Sequence, residues 1–354
     1  MRREATRALV ALSLAATLAA CTPPPTGPAM SAAEAAERIG ALGMRAGAVL
    51  ADPSVRGFGA GLEGLAPASL PEGEGSDLPR GVYELDEASG DWVQVADSDD
   101  LDLNWTEDGE AARLLIDWDA ASPTVRRTLA DGEEVELPTG ANASLAVAGE
   151  VVADVDQTAA WPINRCGTLT EPGDVAVDGV VRHGQAQLTL DRVSLSVDAG
   201  ETAATASTSG RLGLGAPAGG AWASWDVRLD LDVTRDEATC RITDGAVVSG
   251  RLRLDAGVVG DGGEGSFGVA TDFAPVVDPA TQEVEGLELT NGRLTLGATL
   301  AATWDGVLDD ANGNGVPGEN LVLTFEDGSM SLEEFILERL PFLALGSRVA
   351  AALR

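Results

Sequence analysis

The chain has 354 residues and a formal net charge of −34, and every one of its 23 basic residues is an arginine. A polyanion of this strength repels nucleic acid and anionic lipid head groups, which argues against nucleic-acid binding. Apolar residues make up 44% of the chain and charged residues 23%, a composition typical of folded domains and not of disordered acidic tails.

Residues 1–20 have the pattern of an export signal. Three arginines precede an apolar run over residues 8–17, and small residues stand just before Cys21. The sequence Leu18-Ala19-Ala20-Cys21 resembles the lipobox of bacterial lipoproteins. The resemblance implies cleavage before Cys21, diacylglycerol on its sulfur, and a lipid anchor on the periplasmic or outer face of an envelope membrane. The alternative is an ordinary secretory signal with a cysteine near its cleavage site.

The next segments are predicted to be a tether, a helix and an irregular connection. Residues 21–30 contain four prolines, which cannot join a helix or sheet and so predict a semi-rigid tether. Within residues 31–80, Ser31 and Glu34 form a capping box at the start of a helix. Four prolines and many glycines then predict little regular structure over Ala51–Arg80.

From Gly81 to about residue 330 the hydrophobic pattern has a period of two. Residues 187–191, 227–233 and 251–254, for example, place aliphatic side chains on one face and polar ones on the other. This alternation predicts half-buried antiparallel strands. The fold prediction for 81–330 is therefore mainly β: a large curved antiparallel meander of about twelve to fifteen strands, forming a barrel, a half-barrel or two packed layers.

Dipeptides typical of tight turns punctuate this region. They supply residues that tolerate a positive φ, so we expect short hairpin connections there. The five dipeptides are Asp131-Gly132, Asp178-Gly179, Asp244-Gly245, Asn291-Gly292 and Asp327-Gly328.

A second helical segment is predicted for residues 331–354. Ser331 and Glu334 form another capping box, apolar residues follow at near-helical spacing, and Pro341 predicts a kink or break. We expect this segment to pack on the sheet. Two terminal helices are too few to cover so many strands, so the sheet must close, fold over or leave a groove.

Two cysteines remain once Cys21 is assigned to lipid. Export into an oxidising compartment makes a Cys166–Cys240 disulfide the default expectation, and two buried thiols are the alternative. Nothing like a Cys-x-x-Cys pair occurs, so the sequence predicts no zinc or redox site.

A polar loop near residue 310 has the spacing of a calcium site. It resembles the Asp-x-Asn-x-Asn-Gly calcium loops of many exported proteins, with Gly315 at the sharp turn, and this implies a structural calcium ion. The loop departs from the full pattern because Leu321 occupies the twelfth position, where a bidentate Glu is required. The alternative is a long polar turn between strands. The candidate ligands are Asp310, Asn312, Asn314, Val316 and Glu319.

Catalysis has little support in the sequence. His183, the single histidine, falls in a predicted strand end or turn, and no nucleophile elbow, zinc helix or phosphate loop occurs. Asp117 and Asp119 lie on the same face of a predicted strand and could act as acid and base, as paired carboxylates do in glycosidases. Such pairs are expected by chance among 57 acidic residues.

We therefore expect a non-catalytic envelope protein with a binding or structural role. The main alternative is a periplasmic carrier of a hydrophobic ligand, a lipid or a lipoprotein, held in a curved-sheet groove. Exported carriers of that kind share the layout of an N-terminal helix, a long meander and helices at the mouth of the sheet. A carboxylate-based hydrolase is the third possibility.

Overall fold

The computed structural model describes residues 30–56, 58, 78–107, 109–118, 124–129, 132–169, 173–217, 219–238, 240–260, 263–281 and 283–340. Cys21, its lipobox and most of the proline tether lie outside these residues. The described chain is mainly β, as the alternating pattern predicts, with one 16-stranded sheet, one two-stranded sheet and a helix near each end.

The named elements have the following bounds. The helices are α1 (Ala32–Leu50) and α2 (Leu332–Arg339). The strands are β1 (Gly81–Asp86), β2 (Asp91–Ala96), β3 (Leu101–Glu107), β4 (Glu110–Asp117), β5 (Val125–Thr128), β6 (Glu134–Leu137), β7 (Gly140–Val147), β8 (Glu150–Ala159), β9 (Asp174–His183), β10 (Ala186–Ala199), β11 (Ala203–Ala216), β12 (Gly219–Arg235), β13 (Ile242–Gly260), β14 (Gly263–Val277), β15 (Val284–Leu296), β16 (Thr299–Leu308), β17 (Leu321–Phe325) and β18 (Gly328–Ser331).

The large sheet is a meander over most of its length. Its strand order is β18, β17, β16, β15, β14, β13, β12, β11, β10, β9, β8, β7, β4, β3, β1, β2, while β5 and β6 pair separately. Within the described residues β2 and β18 are the edge strands and do not pair with each other. The sheet is therefore open, and the barrel alternative is wrong.

The prediction of purely antiparallel pairing is wrong at one position. β1 and β3 are parallel neighbours, with Tyr83 opposite Leu103. The cause is a short crossing: β2 runs back to the start of β1, and residues 97–100 then pass over that end of β1 before β3 begins. The backbone N–H of Gly81 donates to the carbonyl oxygen of Asp100 (2.8 Å) at the crossing point.

The contacts divide the chain into two compact units. The first unit comprises the described residues of Met1–Val49, Ala218–Leu231 and Val247–Arg354. Its apolar core joins Ala35 and Ile39 of α1 to strand residues such as Leu252 and to Phe335 of α2. The buried residues of α1 recur at helical spacing and are mostly alanines, so the helix can approach the strands closely.

Both ends of α1 are fixed to the first unit. The hydroxyl of Ser31 accepts from the backbone N–H of Glu34 (3.2 Å), which confirms the predicted cap. The N–H of Ala32 donates to Oδ1 of Asp327 (2.9 Å) in the β17–β18 turn. Towards the other end, the guanidinium of Arg45 donates to the carbonyl oxygen of Gly263. The helix therefore runs between the β17–β18 and β13–β14 hairpins.

The second unit comprises the described residues of Leu50–Pro217 and Asp232–Ala246. Its densest core lies on β3 and β4, where Leu101 and Leu103 are fully buried. The ring of Trp92 meets that of Trp105 edge to face, with centroids 6.2 Å apart. This core is small, because most side chains of β7 to β11 are only half-buried.

Three of the five predicted turn dipeptides lie inside strands. Asp178-Gly179 is within β9, Asp244-Gly245 within β13 and Asn291-Gly292 within β15. Asp327-Gly328 does connect β17 to β18, whereas Asp131 is outside the described residues.

The C-terminal helix is shorter than predicted. α2 begins with the predicted cap, since the hydroxyl of Ser331 accepts from the N–H of Glu334 (3.0 Å), and the helix ends at Arg339. Pro341 and the rest of the predicted segment lie outside the described residues. Neither α1 nor any other helix in the described part of the chain has both the length and the apolar character needed to cross a bilayer.

Candidate functional site

The calcium-like loop between β16 and β17 is held by hydrogen bonds from its own polar side chains. Oδ2 of Asp310 accepts from the N–H of Gly315 (3.1 Å). Oδ1 of Asn312 accepts from the N–H of Asn314 (2.9 Å), and Oδ1 of Asn314 accepts from the N–H of Val316 (2.8 Å). The side-chain oxygens of the first three predicted ligands thus turn inwards along the loop.

Glu319 folds back towards the start of this loop. Its Oε1 accepts from the backbone N–H of Asn312 (2.8 Å). The loop is closed by Asp309, whose carbonyl oxygen accepts from the N–H of Gly318 (2.7 Å) and whose Oδ2 accepts from Nδ2 of Asn320 (2.8 Å). Glu319 thus contacts Asn312 across the loop.

The first turn of α2 also contacts the loop. Oε1 of Glu333 accepts from Nδ2 of Asn312 (3.1 Å) and from Nδ2 of Asn314. The N–H of Glu333 donates to the carbonyl oxygen of Gly318 (3.3 Å). One carboxylate from the helix therefore contacts two of the predicted ligands.

An apolar contact lies on the other side of the same loop. Val316 is fully buried and packs with Ile336 and Leu332 of α2. A side chain at Gly318 would collide with Leu332, whose Cβ lies 2.7 Å from the position of an added Cβ. Val316 thus fixes the loop to the helix, and only its backbone carbonyl is suited to a metal.

Two carboxylate oxygens at this site lack a hydrogen-bond donor. Oδ1 of Asp309 and Oε2 of Glu319 are buried, and neither accepts a hydrogen bond within the part of the chain that the structure describes. A desolvated carboxylate oxygen is costly unless a donor or a cation compensates it.

The composition of the site suits calcium better than softer metals. Across the described residues, no three His, Cys, Asp or Glu side chains are placed to hold a metal by themselves. Calcium, however, also takes amide and backbone carbonyl oxygens as ligands, and this loop offers both. The residues present therefore fit a calcium ion.

A polar groove of about 560 Å3 on the first unit is a weaker candidate. Arg251 pairs with Asp272 (2.8 Å) and Arg228 with Asp230 (3.0 Å). The hydrogen bond from Arg251, together with one from Asn291, lowers the pKa of Asp272. The charges compensate one another along an exposed sheet face, where such pairs add little stability. The groove is lined by Arg228, Asp230, Ser249, Gly250, Arg251, Asp272, Phe273, Ala274, Glu288 and Thr290.

An apolar row crosses the second unit. The register places aliphatic side chains of six successive strands on one face, and in β9 to β11 only Ala186 and Ala204 are buried. Neither α1 nor α2 belongs to this unit. The row consists of Leu114, Leu145, Ala153, Val181, Leu188 and Leu214.

The predicted disulfide is present in the second unit. Cys166 and Cys240 are bonded, with their Cα atoms 6.1 Å apart and a sequence separation of 74. Arg165 adds an ion pair with Glu201 (2.5 Å). The bond joins the β8–β9 connection to the β12–β13 connection.

The remaining predicted positions are resolved as follows. Cys21 lies outside the described residues. His183 is the last residue of β9, half-buried and opposite Ala186. Asp117 ends β4, and Asp119 lies outside the described residues.

Sequence reasoning missed two acidic contributors to the loop, Asp309 and Glu333. Asp309 stands directly before the first motif residue, so the pattern itself could have pointed to it. Glu333 lies 14 residues after Glu319 in another element. Its only sequence signal is a position in the acidic first turn of a capped helix.

No protein-family model, curated protein or solved structure matches this chain. The candidate site is therefore judged by its geometry and by its sequence pattern alone.

Proposed function

We propose that the chain is an exported bacterial lipoprotein, anchored through Cys21, whose β domain has a non-catalytic binding or structural role in the cell envelope. The observation that carries this proposal is the Leu18-Ala19-Ala20-Cys21 lipobox followed by a proline-rich tether. A second observation in support is that the chain is attached to the β domain directly after the tether. Met30 is buried, and its carbonyl oxygen accepts from the N–H of Glu326 (2.9 Å).

The anchor is tested by Cys21→Ser expressed in the native host. The variant should leave the membrane fraction, because no acyl chain can be attached to serine by this route, whereas the wild type stays bound after a salt wash. Mass spectrometry of the N-terminal peptide should show the lipid on the wild type. A Cys21→Ser protein that remains membrane-bound after the wash refutes the anchor.

The loop adds a proposed structural calcium ion to this function. Asp310, Asn312, Asn314 and Glu319 supply side-chain oxygens, and Val316 supplies its carbonyl. The supporting observation is that Oε2 of Glu319 is buried without a donor, next to side chains that already turn inwards.

Thermal unfolding tests the calcium ion. A ligand that binds only the folded state raises the melting temperature as its concentration exceeds its dissociation constant. Millimolar CaCl2 should therefore stabilise the wild type more than an equal ionic strength of NaCl, and more than MgCl2, which requires a tighter octahedron. Asp310→Ala should abolish the calcium-specific shift.

A second candidate function is the carriage of a hydrophobic ligand. The observation in its favour is the part of the half-buried apolar row on β8 to β11 of the second unit, since half-buried aliphatic side chains on one face are available to an acyl chain. Native mass spectrometry of the protein purified from its host, with its own lipid anchor removed, should reveal a bound passenger. Leu190→Glu, placed on this face opposite Leu212, should release it. A wild-type protein without any passenger contradicts carriage.

A further inference from the structure

The predicted calcium loop lacks its most important carboxylate. In an EF-hand-type loop the twelfth residue is a Glu that binds calcium through both oxygens. Here that position is Leu321, which is buried in the apolar core of the first unit. Glu319 alone would leave the loop with fewer anionic ligands than this class of site normally has.

We propose that Glu333, in the first turn of α2, supplies the missing carboxylate, so that calcium is bound between the loop and the helix. The inference rests on the calcium site proposed above. It changes the site from a single continuous loop to two segments that are joined by the ion.

The position of Glu333 relative to the motif residues is the first support. Its Oε1 contacts the amide groups of both Asn312 and Asn314, the third and fifth positions of the motif. Each Asn Oδ1 has two lone pairs, so it can accept from a backbone N–H and still bind a cation. Glu333 lies beside both of these residues and can add its carboxylate to the same ion.

The placement of the buried acidic oxygens is the second support. Asn312 receives Glu333 on its side chain and Glu319 on its backbone N–H, so the two carboxylates flank the same residue. Oε2 of Glu319 and Oδ1 of Asp309 are buried without a donor. Carboxylates that lie this close to one another repel, and a divalent cation between them reduces that repulsion.

Apolar contacts on the other side of the loop hold α2 against it. Val316 packs against Leu332 and Ile336, and the N–H of Glu333 bonds to Gly318. The helix therefore holds Glu333 against the loop through contacts that do not need the ion. Calcium would in turn add to the attachment of α2.

The test compares Glu333→Gln with Glu338→Gln, a matched change at an exposed carboxylate of the same helix. The full-length protein in detergent is titrated with CaCl2 by calorimetry, and its melting temperature is measured in EGTA and in calcium. Gln retains an oxygen that accepts from Asn312 and Asn314, so E333Q should melt like the wild type in EGTA. Its calcium affinity should fall by about tenfold or more, the effect of losing at least 1.4 kcal/mol of binding free energy, while E338Q should bind as the wild type does.

The outcomes separate this inference from the proposal beneath it. If the wild type neither binds calcium nor gains stability from it, the calcium site itself is refuted. If D310A loses calcium binding while E333Q binds like the wild type, the loop is a calcium site and Glu333 is not a ligand, which overturns the inference. If E333Q melts at a lower temperature than the wild type in EGTA, Glu333→Asp is the second variant, because Asp keeps the negative charge but has a shorter side chain. Weaker calcium binding by E333D supports ligation by Glu333, and unchanged binding opposes it.

Discussion

The Glu136 carboxylate accepts hydrogen bonds from two other segments of the second unit. Its Oε1 accepts from the hydroxyl of Thr124 (2.6 Å) and from Nη2 of Arg80 (3.0 Å), and its Oε2 accepts from the N–H of Leu78 (3.3 Å). The side chain is only 11% exposed. These bonds, led by that of Thr124, outweigh burial and lower the pKa of Glu136.

Glu136→Gln should therefore make the free energy of unfolding depend less on pH in the acid range. A carboxyl whose pKa is lowered by folding stabilises the protein at pH values above its unfolded pKa. That contribution is lost as the pH falls through the folded pKa. At pH 7 the variant should lose about 1.5–3 kcal/mol, the range for hydrogen bonds to a charged group. Urea unfolding between pH 3 and pH 7 measures the difference.

Glu134→Gln is the matched control for this measurement, because Glu134 is an exposed residue of the same strand, two positions earlier. It should change the unfolding free energy by less than about 0.5 kcal/mol at every pH. Equal pH profiles for Glu136→Gln and the wild type would show that the buried carboxylate contributes nothing.

Two bulges account for two of the three predicted turn dipeptides that lie inside strands, Asp178-Gly179 and Asn291-Gly292. Arg192 and Asn291 have positive φ values of 49° and 56° inside strands. In each bulge the backbone N–H of that residue donates to an Asp on a neighbouring strand, Asp178 for Arg192 and Asp305 for Asn291. Asn-Gly and Asp-Gly therefore mark irregular strands as well as hairpins, and local sequence alone does not distinguish the two.

Gly292 shows a second reason why a glycine can occur inside a strand. An added Cβ at Gly292 would lie 2.1 Å from Nε1 of Trp304, so the glycine is required by a ring on the adjacent strand and not by a turn. Such a requirement depends on a residue 12 positions away, and no local pattern carries it.

At the scale of elements, the sequence predicted the features that depend on neighbouring residues, namely the helix starts and the strands. Both helix starts follow from Ser31 and Ser331, whose hydroxyls cap the following turn. The strands follow from alternation, although its phase shifts by one residue at the bulge in β10, between Leu190 and Val193. The parallel β1–β3 pair was not predictable, because it depends on how residues 97–100 cross the start of β1.

The leucines of the first unit should differ in their importance. Leu252 is buried in the core cluster, whereas Leu231 is half-buried and outside it. Leu252→Ala should cost about 2–5 kcal/mol, because it removes apolar contacts and leaves a cavity. Leu231→Ala should cost less than about 2 kcal/mol, because it vacates less buried volume. Chemical unfolding of both variants gives the comparison.

Val259→Ala is the surface reference for this pair, since Val259 lies on the same strand as Leu252 and is 47% exposed. Its effect should be near zero. A loss at Leu231 as large as that at Leu252 would mean that Leu231 is packed as tightly as the core cluster.

For the whole molecule, the sequence predicted the disulfide, whereas calcium binding by the loop stays a prediction. Cys166 and Cys240 were paired by elimination, without any information on distance. The predicted loop ligands share one continuous motif. Glu333 belongs to another element, so its arrival at Asn312 is a product of tertiary packing through Val316 and Ile336.

The disulfide should be a major source of stability for the second unit, whose core is small. Replacing both cysteines with serine should cost about 2–5 kcal/mol, because the unfolded chain regains the freedom of a long closed loop. Urea unfolding with and without a reducing agent tests this. The reducing agent should lower the midpoint of the wild type and leave that of the double variant unchanged. Equal midpoints for both proteins would contradict the expectation.

The burial of Met30 beside the β17–β18 turn has a consequence for how far the protein reaches. Met30 is nine positions after Cys21, and a fully extended chain of that length spans at most about 32 Å. If the lipid is attached at Cys21, the β17–β18 turn cannot rise further than this above the lipid head groups. The part of the first unit around this turn would then stay close to the membrane that carries the lipid, whatever the orientation of the protein.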